Sequence, residues 1–105
     1  MKLKGIGINK YTGTGKIIHI DSFKEFSRIK GGEIIVTKNA TPDFVLILNK
    51  ISCLITDQGG ITCHIAILCR EFNTPAILAT KYGTSKLVNG SEVHVDTSKG
   101  LIWSM

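Results

Sequence analysis

The chain has 105 residues, of which 43% are hydrophobic and 20% charged, with a formal net charge of +5 at pH 7. That length holds one domain, residues 1–105, and one real core, but not a nucleotide fold, a substrate barrel and a catalytic centre together. No apolar run approaches the roughly 18 residues that span a bilayer, and the basic opening MKLKGIGINKYTG lacks the apolar core of a signal peptide. A cytoplasmic protein with no membrane partner is therefore expected.

The lysines are spread from Lys2 to Lys99 without interleaved aromatics, so nucleic acid is not an expected partner. Such a surface still attracts acidic or phosphorylated groups. Cys53, Cys63 and Cys69 are odd in number and form no CxxC pair. Free thiols are expected, with neither a disulfide framework nor a metal site.

In chain order, Gly13-Thr14-Gly15-Lys16 has a superficial likeness to a phosphate loop. The GxxxxGK[ST] spacing is missing, with Lys10 and Ile17 at its ends, and a turn entering a strand accounts for it. Strands are expected at Lys16–Ile20, Glu33–Thr37, Cys53–Thr56 and Ala76–Ala79, each β-branched or apolar and of strand length. Val93–Asp96 and Leu101–Trp103 should form a closing hairpin after the Asn89-Gly90 turn. His19 and His94 fall within alternating strand patterns, where solvent or an ordinary hydrogen bond is expected.

Two short helices are expected between these strands. Asp21 or Ser22 would cap Phe23–Arg28, with Phe23 and Phe26 facing inward. Thr41 would cap a helix over Asp43–Asn49, with Pro42 in its first turn and Phe44 to Leu48 buried on several sides. The strongest helical signal follows Gly59-Gly60. Thr62 is the expected N-cap, Cys63 to Phe72 lack Gly and Pro, and Asn73 and Pro75 end the run. Ile65 to Cys69 cover nearly its whole circumference, which predicts burial among other elements. The fold class is α/β.

The stretch with chemical content is Thr56 to Ala79, TDQGGITCHIAILCREFNTPAILA. A strand, a glycine loop and a helix bearing a histidine in its first turn make a setting for phosphate. Gly59 and Gly60 allow a tight turn and close approach of another molecule. The helix start offers unpaired N–H groups and the positive end of the dipole. His64 stands in that first turn, and once phosphorylated on a ring nitrogen it would have its added charge stabilised.

This stretch resembles the signature of the mobile domain of phosphoenolpyruvate-utilising enzymes, T-D-x-G-G-x-T-S-H-x-A-I-x-x-R-E-x-x-x-P-A. Thr56, Asp57, Gly59, Gly60, Thr62, His64, Ala66, Ile67, Arg70, Glu71, Pro75 and Ala76 fall on its fixed positions. The likeness extends along the chain: Leu3-Lys4-Gly5 with Gly13–Lys16, Gly31–Thr37, Thr41-Pro42-Asp43, and Asn89-Gly90 through Gly100. The resemblance implies a swivelling β/β/α domain whose His64 is phosphorylated on Nε2. It implies a swing between an ATP-grasp domain and a domain binding phosphoenolpyruvate, pyruvate or another acceptor. ATP with Mg²⁺ and phosphoenolpyruvate would be bound by those partners, and no cofactor by this domain itself.

On that basis His64 is the phosphoryl acceptor and Thr62 caps the helix and contacts ring or phosphate. Gly59 and Gly60 shape the loop. Arg70, off the His64 face, serves either a partner interface or a structural salt bridge. Cys63 replaces the usual serine and Val45 a threonine that contacts the histidine in several relatives, which bears on its orientation. Two other readings keep the fold without the chemistry. One is a non-catalytic interaction or regulatory module. The other is a swivelling domain of an unrelated enzyme such as a hydro-lyase subunit, against which the GG-x-T-x-H-x-A-I-x-x-R string argues.

Overall fold

The computed structural model describes residues 1–104; of the expected 1–105 domain only Met105 lies outside the described residues. Strands β1 (Lys2–Lys4), β2 (Ile6–Ile8) and β3 (Thr12–His19) come first. A 3₁₀ segment, Phe23–Arg28, leads to β4 (Ile34–Thr37), and a second, Pro42–Ile47, to β5 (Cys53–Thr56). Then follow α1 (His64–Glu71), β6 (Ala76–Leu78), the one-turn α2 (Gly83–Lys86), β7 (Glu92–Asp96) and β8 (Leu101–Trp103).

The strands form one sheet in the order β1-β8-β7-β3-β4-β5-β6-β2. β3 to β6 run parallel, and the remaining pairings are antiparallel. β3 is shared: Thr12–Lys16 pair with β7, whereas Ile17–His19 pair with β4. The antiparallel half folds over the parallel half and encloses Leu3, Ile17, Ile34, Val36, Cys53, Ile55, Ile77, Val95 and Ile102. On the other face, α1 and the 3₁₀ segments cover Ile8, Ile35, Leu54 and Leu78 with Phe44, Ile47, Ile65, Ala66 and Cys69. The layers are β, β and α, as expected. With both faces covered, β4, β5 and β6 are apolar at consecutive positions and lack the two-residue alternation of a half-exposed strand.

β1 and β2 are separated only by Gly5 yet lie at opposite edges of the sheet, so residues 2–8 close it. Gly5 N–H donates to the Gly100 carbonyl at 2.8 Å. A Cβ on Gly7 would overlap the Thr97 carbonyl, and one on Gly100, at φ 64°, the Gly5 carbonyl. Thr97 Oγ1 donates to the Asn9 carbonyl at 2.6 Å across the same seam. The chain ends also meet, where Ser104 N–H donates to the Met1 carbonyl at 3.1 Å.

Several local expectations are corrected. Gly13–Lys16 is strand, not turn, and Gly15 leaves room that a Cβ would share with Ile34 Cγ1 at 2.8 Å. β1, β2 and α2 carried no clear sequence signal. The two short helices are 3₁₀ segments without side-chain caps. Only Phe26 of the first pair turns inward, edge-on to Phe44 with ring centroids 5.1 Å apart, while Phe23 and Leu46 are exposed. α1 is buried along one face only, since Ile67 is 50% exposed. His19 bonds through Nε2 to the Leu87 carbonyl at 2.5 Å, and His94 stacks on Trp103 with centroids 5.3 Å apart.

Because a methyl group at Gly7 has no space except by parting the seam, Gly7→Ala should destabilise the fold by more than about 3 kcal/mol in urea denaturation. Glu33 gives a pH signature. Its buried carboxylate accepts the Lys30 and Gly31 N–H groups at 2.8 and 2.7 Å. Burial alone would raise its pKa, but these donors prevail and hold the carboxyl below its ordinary value. Its stabilising contribution is therefore complete above the ordinary carboxylate range and lost as pH falls through the depressed value. Glu33→Gln should flatten the acid side of a Tm-against-pH curve.

Candidate functional site

The parallel strands β4, β5 and β6 end at one edge, where β5 leads into the loop from Asp57 to Cys63. Its rear is bonded throughout. Asp57 N–H and Gln58 N–H donate to the Thr37 and Lys38 carbonyls at 3.2 and 3.0 Å. From the other side, Thr80 N–H donates to the Thr56 carbonyl and Lys81 N–H to the Asp57 carbonyl, each at 3.0 Å. Buried Thr80 adds a bond from its hydroxyl to the Thr56 carbonyl at 2.9 Å, and the Thr56 hydroxyl donates to the Gln58 carbonyl.

Asp57 has a role that the motif alone did not reveal. Its carboxylate accepts the Thr84 N–H at 2.8 Å and the Thr84 hydroxyl at 2.5 Å, so it caps α2 and ties that turn to the loop. The only sequence signal was its place in T-D-x-G-G, because Thr84 stands 27 residues away.

The two glycines are not equivalent. Gly59 takes φ 119°, a conformation that side-chain-bearing residues rarely adopt. A Cβ there would lie 3.5 Å from Cys63 Sγ and 3.6 Å from Leu78 Cβ, in ordinary contact. Gly60 has ordinary φ, and a Cβ on it would meet nothing within 4 Å. Gly60 thus borders open space.

α1 begins at His64 with Cys63 as N-cap, not Thr62, which is exposed two residues before the helix. The chain is already extended at Cys63, with φ −69° and ψ 161°, so the helix cannot start earlier. No side chain caps this end, leaving its first-turn N–H groups without a protein side-chain acceptor. Ile65, Ala66 and Cys69 anchor the helix in the core, and His64 stands exposed above them. Its ring makes no hydrogen bond or ion pair to a protein group among the described residues. Val45 and Cys63 both pack against the core beside α1. Val45 offers His64 no hydrogen-bonding group.

Arg70 is exposed near the far end of α1, away from His64. Among the described residues the one salt bridge joins Arg28 to Glu25, so Arg70 has no structural ion pair. The three cysteines are free, and no three His, Cys, Asp or Glu side chains converge as a metal site among the described residues. Burial pushes the Cys53 thiol far above its ordinary value and, with Cys63 nearby, pushes Cys69 up to about 11. No helix among the described residues is long and apolar enough to cross a membrane.

Fold and site together define a small β/β/α domain that presents an exposed histidine from a glycine loop braced at its rear. The family described as "PEP-utilising enzyme, mobile domain" matches residues 29–100, and the chain belongs to that family. It is 42% identical over 101 residues to a probable phosphoenolpyruvate synthase of Archaeoglobus fulgidus, covering 96% of this chain and 13% of that protein. Phosphoenolpyruvate synthases of Pyrococcus furiosus and Helicobacter pylori are 38% and 39% identical over 96% and 93% of the chain. The chain spans only 12% of the length of each. Among solved structures, Enzyme I superposes with a TM-score of 0.64 at 28% identity, over 73% of this chain and 32% of that one. Thermococcus kodakaraensis aconitase X shares the fold alone, with a TM-score of 0.73 at 16% identity over 97% of this chain and 96% of its own.

Thiolates, not thiols, react with alkylating reagents, and burial suppresses both ionisation and access. Iodoacetamide on the native protein at mildly alkaline pH should modify Cys63, with Cys53 and Cys69 modified only after denaturation. Peptide mass spectrometry reads the order.

Proposed function

We propose that the chain is a phosphoryl carrier, with His64 as the residue phosphorylated. One observation carries the reading: in a member of the PEP-utilising mobile domain family, His64 stands exposed at an uncapped helix start, beyond a loop whose rear is pinned. In the first step the lone pair of Nε2 forms a bond to phosphorus as the donor's bond to that phosphorus breaks and the leaving group departs with its electrons. In the second, an acceptor oxygen attacks, the P–N bond breaks and the imidazole is restored. The uncapped N–H groups and helix dipole favour the added negative charge. Thr62, exposed two residues before His64, contacts the phosphoryl group in this reading.

The chain spans about an eighth of relatives named phosphoenolpyruvate synthase, which favours donor and acceptor sites on partner domains or subunits. One partner is an ATP-grasp unit that binds ATP and Mg²⁺. Another binds phosphoenolpyruvate and pyruvate, or a different acceptor, and the whole assembly works in the cytoplasm. Arg70 and the open space before Gly60 belong to the surface those partners meet. Cys63 and Val45 favour a second reading, a non-catalytic interaction module on the same fold.

Phosphoramidate, a small donor that requires no partner, separates the two. It should add one acid-labile phosphoryl group to the intact chain, absent from His64→Gln and located on His64 by peptide mass spectrometry. Failure of His64 to become phosphorylated in folded protein would leave the interaction module as the better account. Gly60→Leu should keep the wild-type Tm and its reaction with phosphoramidate. Its phosphorylation by cell extract supplied with ATP or phosphoenolpyruvate should fall at least roughly tenfold, since the new side chain fills space that a partner needs.

A further inference from the structure

Two lysines border the loop that leads to His64. Gln58 N–H donates to the Lys38 carbonyl at 3.0 Å, and Lys81 N–H to the Asp57 carbonyl at 3.0 Å. Lys38 therefore flanks the loop from the end of β4 and Lys81 from beyond the end of β6, and both are exposed. Gly59 links this edge to the histidine, because its Cβ position is in contact range of both Cys63 and Leu78. A lysine's long flexible stem lets its ammonium reach across such an edge.

Lys81 occupies its place at a conformational cost. Its φ is 68° and that of Ala79 is 59°, both in the left-handed region where a Cβ is disfavoured and glycine sits easily. Asp57, whose carbonyl accepts the Lys81 N–H, has its carboxylate bonded to Thr84, and Asp43, five residues beyond Lys38, accepts the Thr41 hydroxyl. Neither lysine has an ion pair among the described residues. Two lysines without ion pairs thus flank one loop, one of them at a positive φ that side-chain-bearing residues rarely adopt.

The geometry points to Lys81, with Lys38 opposite it, as residues that hold the phosphoryl group arriving at and carried by His64. This rests on the carrier reading above. Ammonium groups attract an incoming phosphoryl dianion and offset its charge once it is on the ring.

The test uses the full chain with phosphoramidate at low ionic strength. The Nε2 lone pair forms the new P–N bond while ammonia leaves with the electron pair of the old one. Lys81→Met and Lys38→Met should each slow phosphorylation roughly threefold, and the double variant roughly tenfold, with the differences shrinking in high salt. Lys81→Arg should restore the rate. Lys81→Gly, suited to positive φ, should melt no lower than wild type and still lose the rate, which separates charge from folding. Lys2→Met, on β1, is the control for net charge and should leave the rate unchanged. Equal rates in wild type and the double variant would overturn the inference, as would an equal loss in Lys2→Met. Neither result touches the carrier reading, which fails only if wild-type His64 takes up no phosphoryl group.

Discussion

The molecule depends on a backbone contact that excludes side chains. Gly5, Gly7 and Gly100 meet where residues 2–8 pass from one edge of the sheet to the other, close enough that carbonyl oxygens occupy the Cβ positions of Gly7 and Gly100. Through that crossing, β1 covers one core with Leu3 and β2 completes the other with Ile8. Both apolar layers thus rely on one segment that has few side-chain contacts of its own at the crossing point. Shape, not hydrophobic area, sets the limit there: a carbonyl oxygen cannot yield to a methyl group without moving a strand.

The same division between fixed and open backbone organises the site. Behind the loop, Thr37, Lys38, Thr56 and Asp57 exchange main-chain bonds with the segments on either side, and the Asp57 carboxylate fastens α2. In front, Gly60 borders empty space and the helix start has no side-chain cap. A histidine held this way has its backbone placed by the sheet while its ring is left to whatever approaches.

Much of this was legible in the residues. The strand at Cys53–Thr56, the closing hairpin of β7 and β8, and the helix after the paired glycines follow from β-branched runs, turn residues and breakers. The edge strands were not. Lys2–Lys4 and Ile6–Ile8 are three residues each, too short for an alternating pattern to register, and Gly13 and Gly15 made the start of β3 resemble a turn. Their strand character comes from partners some 70 to 100 positions distant, Leu78 for Ile6 and Trp103 for Lys2. The site divides similarly. His64 and its glycines stand in a contiguous motif, whereas the cap came out one residue late because Cys63 is still extended. The bracing by Thr80 and Thr84 was hidden because those threonines act across 24 and 27 residues. Arg70, open between an interface and a salt bridge, has no acidic partner within the described residues.

The bond between Ser104 and Met1 has a consequence for how such a unit fits into longer proteins. A domain whose two ends emerge together occupies only one point on the path of a host chain. It can be inserted into a loop without prying that loop apart, or circularly permuted by joining the ends and opening a turn elsewhere. Two connectors leaving from one place also act mechanically as a single tether, about which a rigid body turns with little resistance from its own fold.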